Sequence, residues 1–219
     1  MPQINRLPSD QFLADHVPLR PVEGCDSMVA HQAADLFALW EAWERESGGK
    51  SAIPYWATVW PAAKVLARHM MDNRTSVVDR TVLDLGCGSG VAGIAAAQAG
   101  AYRVIANDID PIALHIAERN FTANSVAAEI CPRNLVEEHD WLPVDLILVA
   151  DLFYHRTSAA ALLAFLQQAR KNGATVIIAD GHRPFAPENG TSLILQETVP
   201  VSLELEGVPN RDVRLMTLA

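Results

Sequence analysis

Three glycines at alternate positions, Gly86, Gly88 and Gly90, follow an apolar run that carries an acid at its end, Val82-Leu83-Asp84-Leu85. Without a Cβ, the chain can approach a ligand closely there and take φ > 0 where another side chain would clash. A helix opening directly after such a turn offers its first N–H groups, which have no partner inside the helix, to whatever lies on the loop. The chemistry implied is the cradling of a small charged cofactor. Asp108 stands about twenty residues further on, the spacing at which an acid ending the next strand reaches ribose hydroxyls. A carboxylate accepting two such bonds fixes the sugar. Its other use, as a helix cap, is already supplied by Asp110 before Pro111. Ile109, between the two acids, is placed to lie against an adenine face.

A nicotinamide or flavin dinucleotide is the competing ligand, because Gly88-Ser89-Gly90-Val91-Ala92-Gly93 satisfies G-x-G-x-x-G literally. Register opposes it. Counted from Gly86, the first glycine to leave the strand, the place of the third glycine falls on Val91. A pyrophosphate beside Asp84 would also set like charges together in a partly desolvated turn. The pattern suits a cationic ligand without phosphates.

The elements that must position these residues alternate after Thr81. Strands are expected at about 81–85, 102–108, 127–131, 144–150 and 174–180, and helices at about 90–99, 111–123 and 157–171. Gly100 and Gly173 stand where helices should stop. Such alternation means a parallel sheet covered on both faces. The tail changes character: Thr198–Glu206 and Arg211–Leu218 read as two strands joined by Gly207-Val208-Pro209-Asn210, a hairpin closing the sheet. Upstream, residues 1–27 carry four prolines without sustained period and read as an irregular arm wrapping the domain. From Met28 to Glu46, Ala33, Leu36, Phe37 and Trp40 follow helical spacing up to Ser47-Gly48-Gly49. A second helix opens at Pro61, a favourable first-turn position, and runs through Val65, Leu66 and Met70.

The 219 residues suffice for one domain with a substantial core, half of the chain being apolar. Its formal net charge of −9 disfavours the clustered basic face that nucleic-acid binding needs. Three cysteines, Cys25, Cys87 and Cys131, show no C-x-x-C pairing, and the seven histidines show no ligand spacing, so neither a disulfide framework nor a metal site is indicated. No secretory or membrane-spanning pattern is present, and the expectation is a soluble protein of the reducing cytoplasm.

The run Asp84-Leu85-Gly86-Cys87-Gly88-Ser89-Gly90 resembles motif I of the class I S-adenosylmethionine (SAM)-dependent methyltransferases. Three further segments narrow the resemblance: Ile53-Pro54-Tyr55-Trp56-Ala57-Thr58-Val59-Trp60-Pro61, then Asn107-Asp108-Ile109-Asp110-Pro111, then Asp151-Leu152-Phe153-Tyr154 after the fourth strand. With these, the chain from about residue 30 onward is similar to the seven-strand protein-lysine methyltransferases, particularly those of the electron-transfer flavoprotein β subunit and their bacterial relatives. The resemblance implies an α/β fold, a single Rossmann-like class I methyltransferase domain with a mostly parallel seven-stranded sheet, a C-terminal antiparallel hairpin and an N-terminal helical extension. Residues 1–50 are then an arm and helix packed on the core, and residues 51–219 the SAM-dependent methyltransferase domain. It also implies that the glycine loop cradles the methionine end of SAM with Asp84 beside its amino group. Asn134, after the third strand, becomes the partner of the adenine amino group, although a turn-forming Asn has the same position. Trp60 lies over the pocket by the same resemblance; by residue type it serves equally as core. His155 is a departure, because relatives often carry an acid there.

Methyl transfer from SAM needs a neutral nucleophile held in line with the methyl carbon and shielded from water. Asp151, at the carboxyl end of a central strand, is the candidate to orient a lysine amine, and Tyr154 to offer a hydroxyl acceptor or an aromatic face. The expected partner is a protein substrate such as the flavoprotein β subunit, with no nucleic acid and no membrane. A small-molecule N-methyltransferase would share every cofactor residue. A ribosomal-protein methyltransferase shares the N-D-I-D-P region but typically has asparagine and proline where Asp151-Leu152-Phe153-Tyr154 stands. A SAM-binding regulatory protein is the non-enzymatic alternative.

Overall fold

The structure is a computed structural model and describes residues 6–139 and 141–218; the first five residues of the expected arm lie outside the described residues. Strands β3 (Thr81–Leu85), β4 (Arg103–Asn107), β5 (Glu129–Cys131), β6 (Leu146–Ala150) and β7 (Thr175–Asp180) run parallel, joined through helices α4 (Val91–Ala99), α5 (Pro111–Ala123), α6 (Leu135–Glu138) and α7 (Arg156–Lys171). Strands β8 (Thr191–Pro200) and β9 (Asn210–Leu218) add the antiparallel hairpin, in the order β5-β4-β3-β6-β7-β9-β8. This is the expected mostly parallel seven-stranded α/β sheet.

Side chains that alternate along a strand point to opposite faces. Val82, Leu146, Leu148, Ile177 and Ala179 pack on one face with α4 and with α3 (Pro61–Asp72), whereas Leu83, Leu85, Ile147, Val149, Val176 and Ile178 pack on the other with α7. By the same alternation Asp84 lies on the Val82 face, beneath α4. The connections turn opposite ways from β3, to β4 on one side and β6 on the other, so a crevice opens at the carboxyl ends of β3 and β6. Ligands of open α/β sheets bind at such a switch point.

The N-terminal segment differs from expectation. In place of an irregular arm there are α1 (Asp10–His16), capped by Ser9, and a hairpin of β1 (Leu19–Val22) and β2 (Cys25–His31). The helix expected over Met28–Glu46 is α2 (Leu36–Ser47). Asp35 caps it by accepting from the Phe37 and Ala38 N–H groups, and Gly48 ends it at φ 76°. Its buried stripe is Leu36, Leu39, Ala42 and Trp43, and Phe37 faces solvent. Trp43 meets Phe12 and Trp56 edge-on, and the cluster packs on Ile112, Ala113 and Ile116 of α5. Two asparagines, Asn120 of α5 and Asn124 at its C-terminal end, receive the outer edge of β2. Asn124 Oδ1 accepts from Val29 N and its Nδ2 donates to Val29 O, while Asn120 Oδ1 accepts from His31 N at 2.8 Å. Side chains thus satisfy an edge that another strand would otherwise claim.

The tail also departs. Its first strand is Thr191–Pro200, not Thr198–Glu206, and Leu203–Glu206 forms a single helical turn, α8, ended by Gly207 at φ 69°. Leu-Glu-Leu-Glu alternates like a strand, but the true β8 is an edge strand whose exposed face blurs its pattern: Leu193 is 60% exposed.

Candidate active site

The glycine loop has the geometry its sequence asks for. Gly86, Gly88 and Gly90 take φ of 65°, 52° and 77°, a region that favours glycine. Cys87 N donates to Asn107 O at 2.8 Å and Gly88 N to Asp108 Oδ2 at 2.9 Å, so the end of β4 fastens the loop. A Cβ at Gly88 would meet no atom within 4 Å, whereas one at Gly90 would press on Phe121 and Ala117. The loop therefore faces open space at Gly88 and packs at Gly90. Beyond it, Gly90 gives α4 no side-chain cap, and of the first N–H groups that of Gly93 is taken by Asp84.

Asp84 is 2% exposed, and its Oδ2 accepts from Gly93 N at 2.8 Å. Burial pushes its carboxyl up to about 7; the Gly93 N–H pulls against that and the nearby Asp108 adds to it. A buried carboxylate held this far from its ordinary range is short of positive charge. Glycines with an open face, a helix N-terminus and a buried acid fit the amino-acid end of SAM, which brings an ammonium and a sulfonium.

Asp108 caps its own turn, Oδ1 accepting from Asp110 N at 3.0 Å, and burial pushes its carboxyl up as well. Asp110 caps α5 through Ile112 N, as expected. Ile109 is 69% exposed beside them. Buried Asn107 donates to the carbonyls of Cys131 and Arg133, 2.8 Å each, and so ties β4 to the segment that carries Asn134. Asn134 itself caps α6, its Oδ1 accepting from Glu137 N at 3.3 Å.

On the β6 side, Asp151 is 7% exposed and left-handed, with φ 56°, a conformation that costs a non-glycine residue energy and marks functional turns. Its Oδ1 accepts from Gly181 N and from Arg183 Nε, both at 2.9 Å, and its Oδ2 from Ala62 N at 3.4 Å. The carboxylate is thus already engaged. Trp60 precedes α3, donates from Nε1 to Tyr55 O at 3.2 Å, and stands 5.5 Å from the Tyr55 ring; Tyr55 is 6.3 Å from Tyr154. Tyr154 is half exposed, and burial, then the charge of Asp108, then Tyr55 push its phenol up. Leu152 leans across the crevice against Gly86, where an added Cβ would stand 2.6 Å from it.

The fold thus brings Asp84, the glycines, Asp108 and Ile109 to one side of the crevice, and Trp60, Asp151 and Tyr154 to the other. Asn134 sits beyond β4, linked through Asn107. Sequence reading missed Arg183 and Glu206, which complete the Asp151 wall, and Gly93, which lets α4 approach Asp84. The literal G-x-G-x-x-G run contained Gly93; no motif contained the other two.

Comparison with known proteins agrees with this fold. The model of the family described as ribosomal protein L11 methyltransferase (PrmA) matches residues 65–179. The electron transfer flavoprotein beta subunit lysine methyltransferase of Danio rerio is 41% identical over 141 residues, 62% of this chain and 54% of that protein. The chain therefore spans about half the length of this curated relative. Among solved structures, the ribosomal protein L11 methylase of Lactobacillus delbrueckii subsp. bulgaricus superposes with a TM-score of 0.51 at 24% identity, covering 73% of this chain and 79% of its own. A methyltransferase complexed with S-adenosylhomocysteine superposes with a TM-score of 0.51 at 13% identity, covering 73% and 50%. At these identities the structures share the fold. The family match spans more than half of the sequence, and the chain belongs to the ribosomal protein L11 methyltransferase (PrmA) family.

Proposed function

We propose that the protein transfers a methyl group from SAM to a lysine side chain of another protein, with the electron transfer flavoprotein β subunit as acceptor. The observation that carries the cofactor is the buried, charge-deficient Asp84 under a left-handed glycine loop whose face is open at Gly88. The acceptor follows from the name of the Danio rerio relative. When bound, SAM supplies a methyl carbon already activated by its sulfonium. The chain's residues then have to align the acceptor and exclude water. Asp108 takes the ribose, Ile109 and Asn134 the adenine, and Asp84 and the loop the amino-acid end. Trp60, Asp151 and Tyr154 wall the acceptor side. Cys25, Cys87 and Cys131 are free and buried, which suits a reducing compartment, and the cytoplasm is the proposed location.

Mass spectrometry of the β subunit after incubation with protein and SAM tests the reading, with methylated lysine as the expected result. Calorimetry adds the cofactor: S-adenosylhomocysteine binds and NAD does not. Tighter binding of NAD would end the methyltransferase reading. The family match favours one second acceptor, ribosomal protein L11; methyl groups on L11 and none on the β subunit would move the assignment there.

A further inference from the structure

Arg183 follows β7 and turns back over the site. Its Nε donates to Asp151 Oδ1 at 2.9 Å, its two terminal nitrogens lie 3.2 and 3.5 Å from the Glu206 carboxylate on α8, and its Cζ is 5.4 Å from the Trp60 ring centroid. Its backbone N–H donates to Asp180 at 3.2 Å. Four groups from separate parts of the chain thus hold one residue. The side chain of Arg183 is 17% exposed and those of Asp151 and Glu206 are 5%, so solvent screens these pairs weakly.

We propose that Arg183 is a positioning residue: a fixed positive wall, set between Asp151 and Glu206 over Trp60, that makes the acceptor lysine enter the site as a neutral amine. This deepens the lysine-methyltransferase reading and rests on it. In the transfer, the amine lone pair forms the N–CH3 bond while the S–CH3 bond breaks with its pair going to sulfur. The positive charge passes to nitrogen, and a proton then leaves to solvent. An ammonium has no lone pair to offer. Asp151 alone beside the faces of Trp60 and Tyr154 would hold the ammonium form and oppose the reaction. Arg183 offsets that carboxylate and already covers the Trp60 ring.

The surrounding charges leave this balance to Arg183. Glu206 is also paired with Arg211 at 2.6 Å, and Asp180 with Arg214 at 3.6 Å, both from β9. Asp108 faces the crevice from the other side, Tyr55 and Tyr154 stand on the Trp60 side, and the His155 ring is 5.2 Å from Tyr154.

The test follows kcat against pH with the flavoprotein β subunit as acceptor, because kcat reports titration within the bound complex. Arg183→Met should move the midpoint of the rise to higher pH by about one unit. It should also lower KM at neutral pH, and Arg183→Lys should restore the wild-type profile. Glu206→Gln, which strips the guanidinium of a counter-charge, should move the midpoint the opposite way. Parallel measurements on His155→Gln separate the effect of Arg183 from that of the neighbouring imidazole. Independently of turnover, calorimetry of β-subunit binding to the S-adenosylhomocysteine-loaded protein in two buffers counts protons released, with fewer released by Arg183→Met. A variant that loses activity equally at every pH, with an unmoved midpoint and an unchanged proton count, would make Arg183 a structural brace and overturn the proposal. A wild type that methylates no lysine of the β subunit would instead defeat the reading beneath it.

Discussion

At Asp84 the folded chain keeps a carboxyl protonated to about 7 that an unfolded chain releases near 3.8. Between those values the folded state binds more protons, so this contribution to stability is present below about 3.8 and is lost as pH rises through about 7. The full shift corresponds to about 4 kcal/mol. Burial displaces Asp108, Asp110 and Asp180 in the same direction, and they share the sign. Ligand-free protein should therefore melt at a higher temperature at pH 5.5 than at pH 8.5, and Asp84→Asn should flatten the difference. A cationic ligand favours the charged carboxylate, so SAM should bind more tightly as pH rises through 7 and should release a proton, which calorimetry in two buffers detects. Affinity that is flat in pH and untouched by Asp84→Asn would remove Asp84 from the site. The two neighbouring acids should separate by kind of defect. Asp108→Ala loses hydrogen bonds to a carboxylate and should weaken S-adenosylhomocysteine binding by about 1.5–3 kcal/mol. Asp110→Ala loses a cap and should cost about 1 kcal/mol of stability. Binding lost only in Asp110→Ala would place the ribose on the other carboxylate. These acids were legible in the sequence because an acid at a strand end or before a helical proline speaks to local backbone. Arg183 and Glu206 were not, because a lone cation in a loop and a lone acid in a turn acquire meaning only when the β8–β9 connector folds back over β6.

Helix α4 shows what an element must give up to reach the site. Alanine in place of helical Gly93 would gain about 1 kcal/mol of propensity. Its Cβ, however, would stand 2.9 Å from Phe121, 3.0 Å from Asp84 Oδ2 and 3.2 Å from Val104. Overpacking at about 1–3 kcal/mol should win, and Gly93→Ala should lower the urea midpoint; an unchanged or raised midpoint would show that Phe121 yields freely. Strand β3 and helices α3 and α5 were readable because glycine, proline and Asp caps punctuate them, and Pro111–Ala123 falls where its spacing put it. The departures have a common physical origin. Strand β2 was divided between the irregular arm, which took Cys25–Ser27, and the helix expected from Met28, because its edge is met by the side chains of Asn120 and Asn124, which leave no strand-like signal in a partner. The alternating Leu203–Glu206 turned helical because Gly207 ends it and Glu206 is drawn to Arg183 and Arg211.

Over the whole molecule, the N-terminal layer closes the outer face of α5, and Asn120 carries the connection inward. It is fully buried, takes the His31 N–H on one side and donates to Ser89 O of the glycine loop at 2.8 Å on the other. Asn120→Ala would strand a donor and an acceptor, at about 1–3 kcal/mol for each that finds no water. Equilibrium unfolding should show the loss; an unaltered stability would mean that both groups find other partners. One amide therefore joins the loop to the N-terminal hairpin. Whatever steadies Ser89 makes His31 harder to expose, and by linkage the reverse holds equally. Deuterium uptake at the β2 amides becomes a gauge of whether the loop is loaded, readable from the outside of the protein without any turnover. Trimming the hairpin should loosen cofactor from a loop left intact in every residue.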